Sequence, residues 1–258
     1  MKLKSYDVVG NIAILKFPEG VSKSEKVKVA KELLEERKSV KTVVEKSDRV
    51  KGRLRKIKTV YLAGEKTRIA EYVENGCVFR FDVDETYFSP RLSNERKEVA
   101  LKIKKRDSVL VMFAGVGPFP IVIAKLSKAG EVVSNELNRK ATKFARENVI
   151  LNKLKNVEVV QGDSRKVALD FAKKRKKFDK VVMPRPNLKD NFLDSAFQVV
   201  KKGGIIFYYG FSKGREEVVS VIKEEARRAG RGIRVLGVKK AGEIAPYKFR
   251  WRVDFKVL

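Results

Sequence analysis

The sequence predicts an α/β protein in which a doubly wound parallel sheet is preceded by a small α+β domain. From about residue 107, short apolar strands alternate with helical segments, a pattern typical of parallel sheets covered by helices on both faces. Before that point, hairpin-like strand pairs surround a single amphipathic helix. The chain has 258 residues, more than the commonest single-domain size. We therefore expect two domains, residues 1–84 and residues 85–258.

The first domain is expected to contain two hairpins and one helix. The turn-prone pairs Gly10-Asn11 and Asn75-Gly76 each separate two apolar runs. Ser24 is predicted to cap an amphipathic helix that ends near Arg37. The predicted strands are 8–9, 12–15, 41–45, 55–61, 68–73 and 77–81.

The second domain is expected to contain the parallel sheet. Its predicted strands are Val109–Ala114, Glu131–Asn135, Val157–Gln161, Lys180–Met183, Ile205–Tyr209 and Ile233–Val238. Helices are expected at about 119–128, 139–152, 165–176, 190–200 and 215–229. The last stretch, Phe249–Val257, alternates apolar with charged residues and is predicted to form an antiparallel edge strand.

Composition excludes several kinds of chemistry. The chain has no histidine and one cysteine, Cys77, so it has no histidine-based catalysis, no histidine-ligated metal and no internal disulfide. We expect no metal cofactor. Acid–base chemistry must use Asp, Glu, Lys or Tyr. No run approaches the roughly 18 apolar residues of a membrane span, and the first residues lack a secretory apolar region, so a cytoplasmic protein is expected.

The excess of positive charge indicates a polyanionic partner. Lys and Arg number 60 against 32 Asp and Glu, a net charge of +28. Nucleic acid is the first candidate and an anionic membrane surface the second. The membrane is less favoured because the basic residues are spread over both domains. The basic clusters are Arg49–Lys58, Lys173–Lys177 and the group Arg227, Arg228, Arg231 and Arg234.

Three elements at successive strand ends predict a nucleoside-binding site. Gly115 and Gly117 follow the first strand and permit a tight turn close to a ligand. Glu136 ends the second strand, where a carboxylate can accept hydrogen bonds from ribose hydroxyls, and Asp163 closes the third, facing an adenine amino group. Each acidic residue could instead be a helix N-cap. Because the third glycine of a dinucleotide motif and a G-K-[ST] loop are both missing, S-adenosyl-L-methionine is the favoured ligand.

The sequence resembles a known family at these positions. The matching segments are Tyr87-Phe88-Ser89-Pro90-Arg91-Leu92 with Glu95-Arg96, Met112–Pro118, Glu136-Leu137-Asn138, Gly162–Arg165 and Tyr208–Phe211. They are similar to those of the archaeal and eukaryotic-type tRNA (guanine-N1)-methyltransferases, which modify position 37 beside the anticodon. The wybutosine aminocarboxypropyl transferases belong to the same superfamily. The resemblance implies a Rossmann-like class I methyltransferase domain at 85–258, an RNA-positioning domain at 1–84, and the anticodon region of tRNA as partner.

The resemblance also implies roles for individual residues. Glu95 matches the family's general base and Arg55 a residue that contacts the target guanine. Tyr87, Arg91 and Phe113 match the lining of the cofactor and base pocket. The chemistry agrees with a carboxylate base, because guanine N1 carries a proton at neutral pH that must be removed before methylation. The alternative for Glu95 is an acidic residue in a first helical turn, favoured by the helix dipole.

The chain departs from the family pattern at three points. Val111 replaces the aspartate that opens the glycine loop, and the family's N-terminal tRNA-elbow domain has no counterpart. Pro184-Arg185-Pro186 stands where the family has Asn-Leu-Pro. One hypothesis assigns base or phosphate contact to Arg185, a second returns an amide through Asn187, and a third leaves Arg185 solvated on a stiff loop.

Three functions remain open from the sequence. The first is S-adenosylmethionine-dependent methylation of tRNA at guanine N1, with Glu95, Arg55 and Arg185 as the catalytic set. The second keeps the fold and cofactor but transfers an aminocarboxypropyl group. The third is a non-catalytic RNA-binding protein with a vestigial cofactor site, for which Val111 and Pro184 are the supporting features.

Overall fold

The computed structural model describes residues 6–47, 57–185 and 187–258. The chain divides between Pro90 and Arg91 into two units rather than after residue 84. The ring of Phe88 explains this difference, because it packs at 4.6 Å from Phe81 and 4.9 Å from Tyr72. Those contacts tie the segment before Pro90 to the first unit.

The first unit contains one helix and two sheets among its described residues. Its elements are β1 (Tyr6–Val9), β2 (Ile12–Leu15), α1 (Lys23–Glu36), β3 (Thr42–Lys46), β4 (Thr59–Gly64), β5 (Ile69–Glu74) and β6 (Cys77–Asp82). The first sheet has the order β1-β2-β3-β4, and β5 pairs with β6 in a separate hairpin. Both predicted hairpin turns are confirmed: Val9 pairs with Ile12 and Glu74 with Cys77.

Helix α1 begins two residues earlier than predicted. Its N-cap is Ser22, not Ser24. The Ser22 hydroxyl accepts from the Glu25 N–H at 3.2 Å, and the Glu25 carboxylate accepts from the Ser22 N–H at 3.0 Å. This reciprocal capping box satisfies two backbone donors, which makes Ser22 the stronger start signal.

The second unit contains the predicted doubly wound sheet. Its elements are α2 (Ser93–Leu101, after a 3-10 turn at Pro90–Leu92), β7 (Ser108–Val111), α3 (Pro118–Leu126), β8 (Glu131–Glu136), α4 (Arg139–Leu151), β9 (Val157–Gln161), α5 (Ser164–Lys173), β10 (Phe178–Met183), α6 (Leu193–Val199), β11 (Val200–Ser212), α7 (Arg215–Arg228), β12 (Ile233–Ala245) and β13 (Lys248–Val257). The strand order is β12-β13-β11-β10-β7-β8-β9. The predicted fold class is confirmed. Strands β8 and β9 lie on one side of β7, and β10, which follows them in the chain, lies on the other side of β7. The strand order therefore reverses at β7.

Strand β13 is antiparallel as predicted, but the edge position predicted for it is wrong. It lies between β11 and β12 and pairs antiparallel with both, so β12 forms the edge. Both faces of β13 are covered. Val253 and Phe255 are fully buried on one face, and Arg252 and Asp254 are almost fully buried on the opposite face. Alternation of charged and apolar residues is typical of a strand with one solvated face, whereas both faces of β13 are covered here.

Asp179 ties β10 to β7 and supports our first prediction. Burial of this carboxyl favours its neutral form and by itself would raise the pKa. Hydrogen bonds from the Ser108 N–H (2.9 Å), the Ser108 hydroxyl (2.8 Å) and the Lys201 ammonium outweigh this effect and lower the pKa to about 2. A lowered folded-state pKa stabilises the fold above the unfolded value of 3.8. This stabilisation disappears as the pH falls towards 2.

We therefore expect Asp179→Asn to lower the free energy of unfolding at neutral pH by roughly 1–2 kcal/mol. The difference from wild type should shrink below about pH 4 and vanish near pH 2. Urea unfolding over a pH series measures this. Asp170→Asn, at an exposed position of α5, is the matched control and should show neither effect. A constant difference across the series would contradict the linkage.

Candidate functional site

The loop between β7 and α3 has an unusual backbone. Phe113, Gly115 and Gly117 have φ values of 58°, 60° and 89°. Glycine adopts this left-handed region readily, but a phenylalanine there is an outlier that costs of order 1–3 kcal/mol. A Cβ on Gly117 would lie 3.1 Å from the Ile121 side chain. The loop is therefore held in a tight turn at the strand-order reversal, where ligands of such sheets bind.

Glu136 lies directly against this loop. Its carboxylate accepts hydrogen bonds from the Gly115 N–H at 2.8 Å and from the Asn138 N–H at 2.7 Å. Burial raises the pKa of Glu136, although these backbone donors oppose the rise. The sequence placed the residue at the end of a strand, and the structure turns its side chain towards the glycine turn. Its role towards a ribose stays a prediction.

Asp163 occupies the next strand end and caps α5. Its side chain accepts from the Arg165 N–H at 2.9 Å, as the N-cap alternative requires. Two residues that sequence reasoning missed hold this end in place. The Ser164 hydroxyl donates to Asn135 at 2.7 Å, and the Asn135 amide donates to the Gly162 carbonyl at 3.0 Å. The ends of β8 and β9 are thereby joined, and adenine contact by Asp163 remains a prediction.

Glu95 lies in the first turn of α2 and is buried, with 5% of its surface exposed. One carboxylate oxygen accepts from the Arg252 guanidinium at 2.6 Å and from the Tyr209 hydroxyl at 3.1 Å. The other lies 2.9 Å from the Lys239 ammonium. Sequence reasoning missed all three partners. The carboxylate is thus engaged by side chains from three strands, well beyond what a position near a helix N-terminus requires.

The three partners of Glu95 form one row across the sheet. Tyr209 on β11 is paired with Arg252 on β13, which is paired with Lys239 on β12. Residues directly opposite one another on neighbouring strands present their side chains to the same face. Asp254, two residues along β13, shares that face and accepts from Arg252 at 3.0 Å. The only indication of this cluster in the sequence was the alternation of charged and apolar residues that includes Arg252 and Asp254. The placement of α2 over these side chains is what buries them as a cluster.

The surroundings of Tyr209 and Arg252 keep both side chains protonated. Burial raises the pKa of Tyr209 well above 10, and the neighbouring Glu95 adds to the rise, so the hydroxyl remains a donor. Burial opposes the charge on Arg252, but Asp254 and Glu95 keep its pKa above the ordinary value. The Tyr209 ring also contacts Phe119 at 5.8 Å, in the first turn of α3. Glu95 is thereby connected to the element that follows the glycine turn.

The Arg185 side chain contacts the backbone of its own loop, which follows β10. Its guanidinium donates to the Leu188 carbonyl at 2.6 Å and to the Asp190 carbonyl, and it lies over the Tyr208 ring at 5.7 Å. Only 6% of the residue is exposed, so the solvated alternative is wrong. Burial lowers the pKa of Arg185, and its Nε has no hydrogen-bond partner within the described part of the chain. Contact with a base or phosphate stays a prediction, and Asn187 is exposed.

The structure places most of the predicted site residues in the second unit. These are Arg91, Glu95, Phe113, Gly115, Gly117, Glu136, Asp163 and Arg185. Arg91 is exposed, whereas the Phe113 ring packs at 5.0 Å from Phe192. Tyr87 belongs to the first unit, and Arg55, with most of the first basic cluster, lies outside the described residues.

Residues 6–47, 57–185 and 187–258 lack two further features. No group of three or more acidic or cysteine side chains there is arranged to hold a metal ion. No helix in the same ranges is long and apolar enough to cross a membrane. The groups described around the glycine turn and Glu95 are carboxylates, a tyrosine, arginines, a lysine and backbone donors.

Comparisons with known proteins find relatives along almost the whole chain. Residues 70–236 match the TRM5/TYW2 methyltransferase domain, and residues 2–67 match the TYW2 N-terminal domain. The chain is 35% identical to the tRNA (guanine(37)-N(1))-methyltransferase Trm5b of Pyrococcus abyssi, over 98% of this chain and 74% of that protein. The crystal structure of that Trm5b superposes with a TM-score of 0.86, covering 98% of this chain and 75% of the other.

Two other relatives differ in activity or ligand. The tRNA 4-demethylwyosine(37)-methyltransferase Taw21 of Saccharolobus solfataricus is 33% identical over 98% of this chain and 94% of that protein. The structure of M. jannaschii TYW2 in complex with AdoMet is 26% identical, with a TM-score of 0.73, and covers 98% of this chain and 100% of the other.

Proposed function

Because the chain belongs to the TRM5/TYW2 methyltransferase family, we propose that it methylates N1 of guanosine 37 in tRNA with S-adenosylmethionine as donor. The observation that carries the proposal is the Glu136 carboxylate held on the Gly115 turn at the reversal of strand order. The first unit, residues up to Pro90, is proposed to position the RNA. A tRNA substrate also implies a cytoplasmic location.

The residues at the strand ends fit this cofactor. Glu136 would hold the ribose hydroxyls, the Gly115–Gly117 backbone would approach the nucleoside closely, and Asp163 would face the adenine. The bound cofactor supplies an electrophilic methyl group. Val111 replaces the family's aspartate, so the carboxylate at Glu136 has the larger share of cofactor orientation here.

Glu95 is proposed as the base that removes the N1 proton. A carboxylate offers about four acceptor positions, and Tyr209, Arg252 and Lys239 occupy three of them. One position on the oxygen facing Lys239 is left for the guanine N1–H. The row of partners fixes the carboxylate so that its remaining lone pair has a defined direction, which proton transfer requires.

The test uses purified protein, labelled S-adenosylmethionine and unmodified tRNA, followed by nucleoside mass analysis. We expect 1-methylguanosine from tRNA with guanosine at position 37 and no product when adenosine stands there. A nucleoside heavier by an aminocarboxypropyl group would instead assign the second activity considered above. RNA binding without any transfer and without cofactor binding would favour the non-catalytic alternative.

One observation favours a second substrate for the same site. Pro184 stands where the methyltransferases that this chain resembles carry an asparagine, the neighbouring Arg185 fills the loop after β10, and Taw21 matches this chain over 94% of its own length. The second candidate is therefore methylation of 4-demethylwyosine at position 37. Parallel assays on tRNA bearing guanosine or 4-demethylwyosine at that position discriminate the two, since each product has its own mass.

Glu136 gives a prediction for cofactor binding. Ionised Glu136 could accept two hydrogen bonds from the ribose of the cofactor, whereas the protonated acid could accept fewer, and burial raises the pKa of Glu136. Affinity for S-adenosylmethionine should therefore fall on acidification at a higher pH than an ordinary carboxylate would give. Glu136→Gln should weaken binding about tenfold or more and remove this pH dependence. Calorimetric titration measures both; Glu147→Gln on α4 is the control and should bind as wild type does.

A further inference from the structure

The β12–β13 hairpin extends beyond the carboxyl edge of the sheet. Met183, the last residue of β10, is level with Tyr208, whereas Phe249 at the start of β13 is paired with Ser212. Four residues of strand separate these levels, which is roughly 13 Å. The turn between β12 and β13 lies farther still in the same direction. This hairpin therefore projects from the edge that carries the Gly115 turn and Glu136.

The end of the hairpin combines an exposed aromatic ring with positive charge. Tyr247 is 78% exposed, and it is the one aromatic among the strongly exposed large hydrophobic side chains of the described chain. Basic residues flank it on both strands, namely Lys240, Lys248 and Arg250, against a single carboxylate, Glu243. The Lys240 ammonium lies 3.5 Å from the centre of the Phe249 ring. Rings interleaved with cations are the surface that unpaired bases and their phosphates require.

The backbone at Tyr247 is strained for this residue type. Its φ is 57°, in the left-handed region where a turn normally has glycine or asparagine. The ring is mostly exposed, so packing within the unit does not compensate for that conformation. A bulky aromatic side chain is therefore presented at a position where the fold itself would be better served by glycine.

We propose that the hairpin end, Lys240–Arg250, binds single-stranded RNA, with Tyr247 stacking on an unpaired base near the target nucleotide. The inference rests on the proposed function, since it takes the loop of an RNA substrate as the ligand. Charge complementarity supports this occupant, because the chain has a net charge of +28. The basic side chains contact the backbone of the loop, and the ring contacts a base.

The test compares three variants at one position by fluorescence anisotropy with a labelled stem-loop RNA. Tyr247→Gly should weaken binding about tenfold. Its thermal stability should equal or exceed that of wild type, since glycine relieves the positive φ. Tyr247→Phe keeps the ring and should bind as wild type does, whereas Tyr247→Leu keeps apolar bulk without a π face and should bind as weakly as Tyr247→Gly. A blunt duplex with the same stem should not distinguish the variants.

Wild-type affinity of Tyr247→Gly for the stem-loop would overturn the proposal. Equal losses on stem-loop and duplex would overturn the stacking role, and so would Tyr247-dependent binding to anionic phospholipid vesicles without any effect on RNA. The binding assay needs neither cofactor nor turnover. If the protein fails to methylate tRNA, the proposed function fails but the role of the hairpin can still be tested by RNA binding. If wild type methylates tRNA and Tyr247→Gly binds RNA with unchanged affinity, only the proposed role of the hairpin is rejected.

Discussion

Replacing Glu95 by glutamine is expected to lower the rate of methyl transfer to guanine N1 by about a hundredfold to ten-thousandfold, the usual contribution of a general base. Glutamine has nearly the same shape and keeps one acceptor oxygen for Tyr209 and Arg252, but it cannot take a proton. The affinity for S-adenosylmethionine should change little, because the proposed cofactor contacts lie at Gly115 and Glu136. Single-turnover rates on tRNA and calorimetric titration of the cofactor measure the two quantities.

Glu98 provides the matched control for this prediction. It lies on the same helix and contacts the same Lys239 and Arg252, so Glu98→Gln removes one negative charge from the same cluster. Its side chain is partly exposed, and we assign it no proton transfer. Glu98→Gln should therefore stay within a few-fold of the wild-type rate. Equal losses in both variants would mean that cluster charge, not a base, is responsible, and full activity of Glu95→Gln would reject the base assignment.

Replacing Arg252 by methionine is expected to lower the free energy of unfolding by about 3–5 kcal/mol. The guanidinium bridges Glu95 and Asp254 where the three side chains are 4%, 6% and 7% exposed. Methionine has similar volume, so the loss comes from leaving two carboxylates buried with fewer cationic partners rather than from a cavity. Urea unfolding followed by circular dichroism gives the value.

Two further variants make the Arg252 prediction decisive. Arg252→Lys keeps a positive charge but cannot reach both carboxylates as a planar fork, so an intermediate loss is expected, and it can be measured even if the methionine variant does not fold. Arg234→Met removes an exposed arginine from the neighbouring strand and should cost less than about 0.5 kcal/mol. A loss at Arg252 no larger than the loss at Arg234 would contradict the buried-cluster account.

Much of the fold could be predicted because strand and helix periodicity are local properties of the chain. The hairpins at Gly10-Asn11 and Asn75-Gly76 and the β–α alternation after residue 107 all follow from neighbouring residues. One of the two errors is local, and the other depends on a distant segment. Ser22 rather than Ser24 caps α1 because Glu25 completes a capping box with it, and β13 is central because β12 pairs outside it.

Part of the candidate site could also be predicted, because it too depends on local properties of the chain. Gly115, Gly117, Glu136 and Asp163 stand at or a few residues after the carboxyl ends of strands, so their arrival at one edge of the sheet follows from strand direction alone. Arg185 could not be understood in this way. Whether its guanidinium meets solvent or the carbonyls of Leu188 and Asp190 depends on how its loop folds back. That geometry has no signature in residue spacing.

The amino-acid sequence by itself determined the layered α/β architecture, the position of the candidate site at the strand ends and the expectation of a polyanionic partner, because periodicity, strand direction and net charge need no tertiary contact. Only the tertiary structure decided that Tyr209, Arg252 and Lys239 converge on Glu95 and that Tyr247 stands at the end of a projecting hairpin. Both depend on strand register, and the cluster around Glu95 also depends on which face α2 covers. Those are settled by burial free energy summed over segments more than a hundred residues apart in sequence.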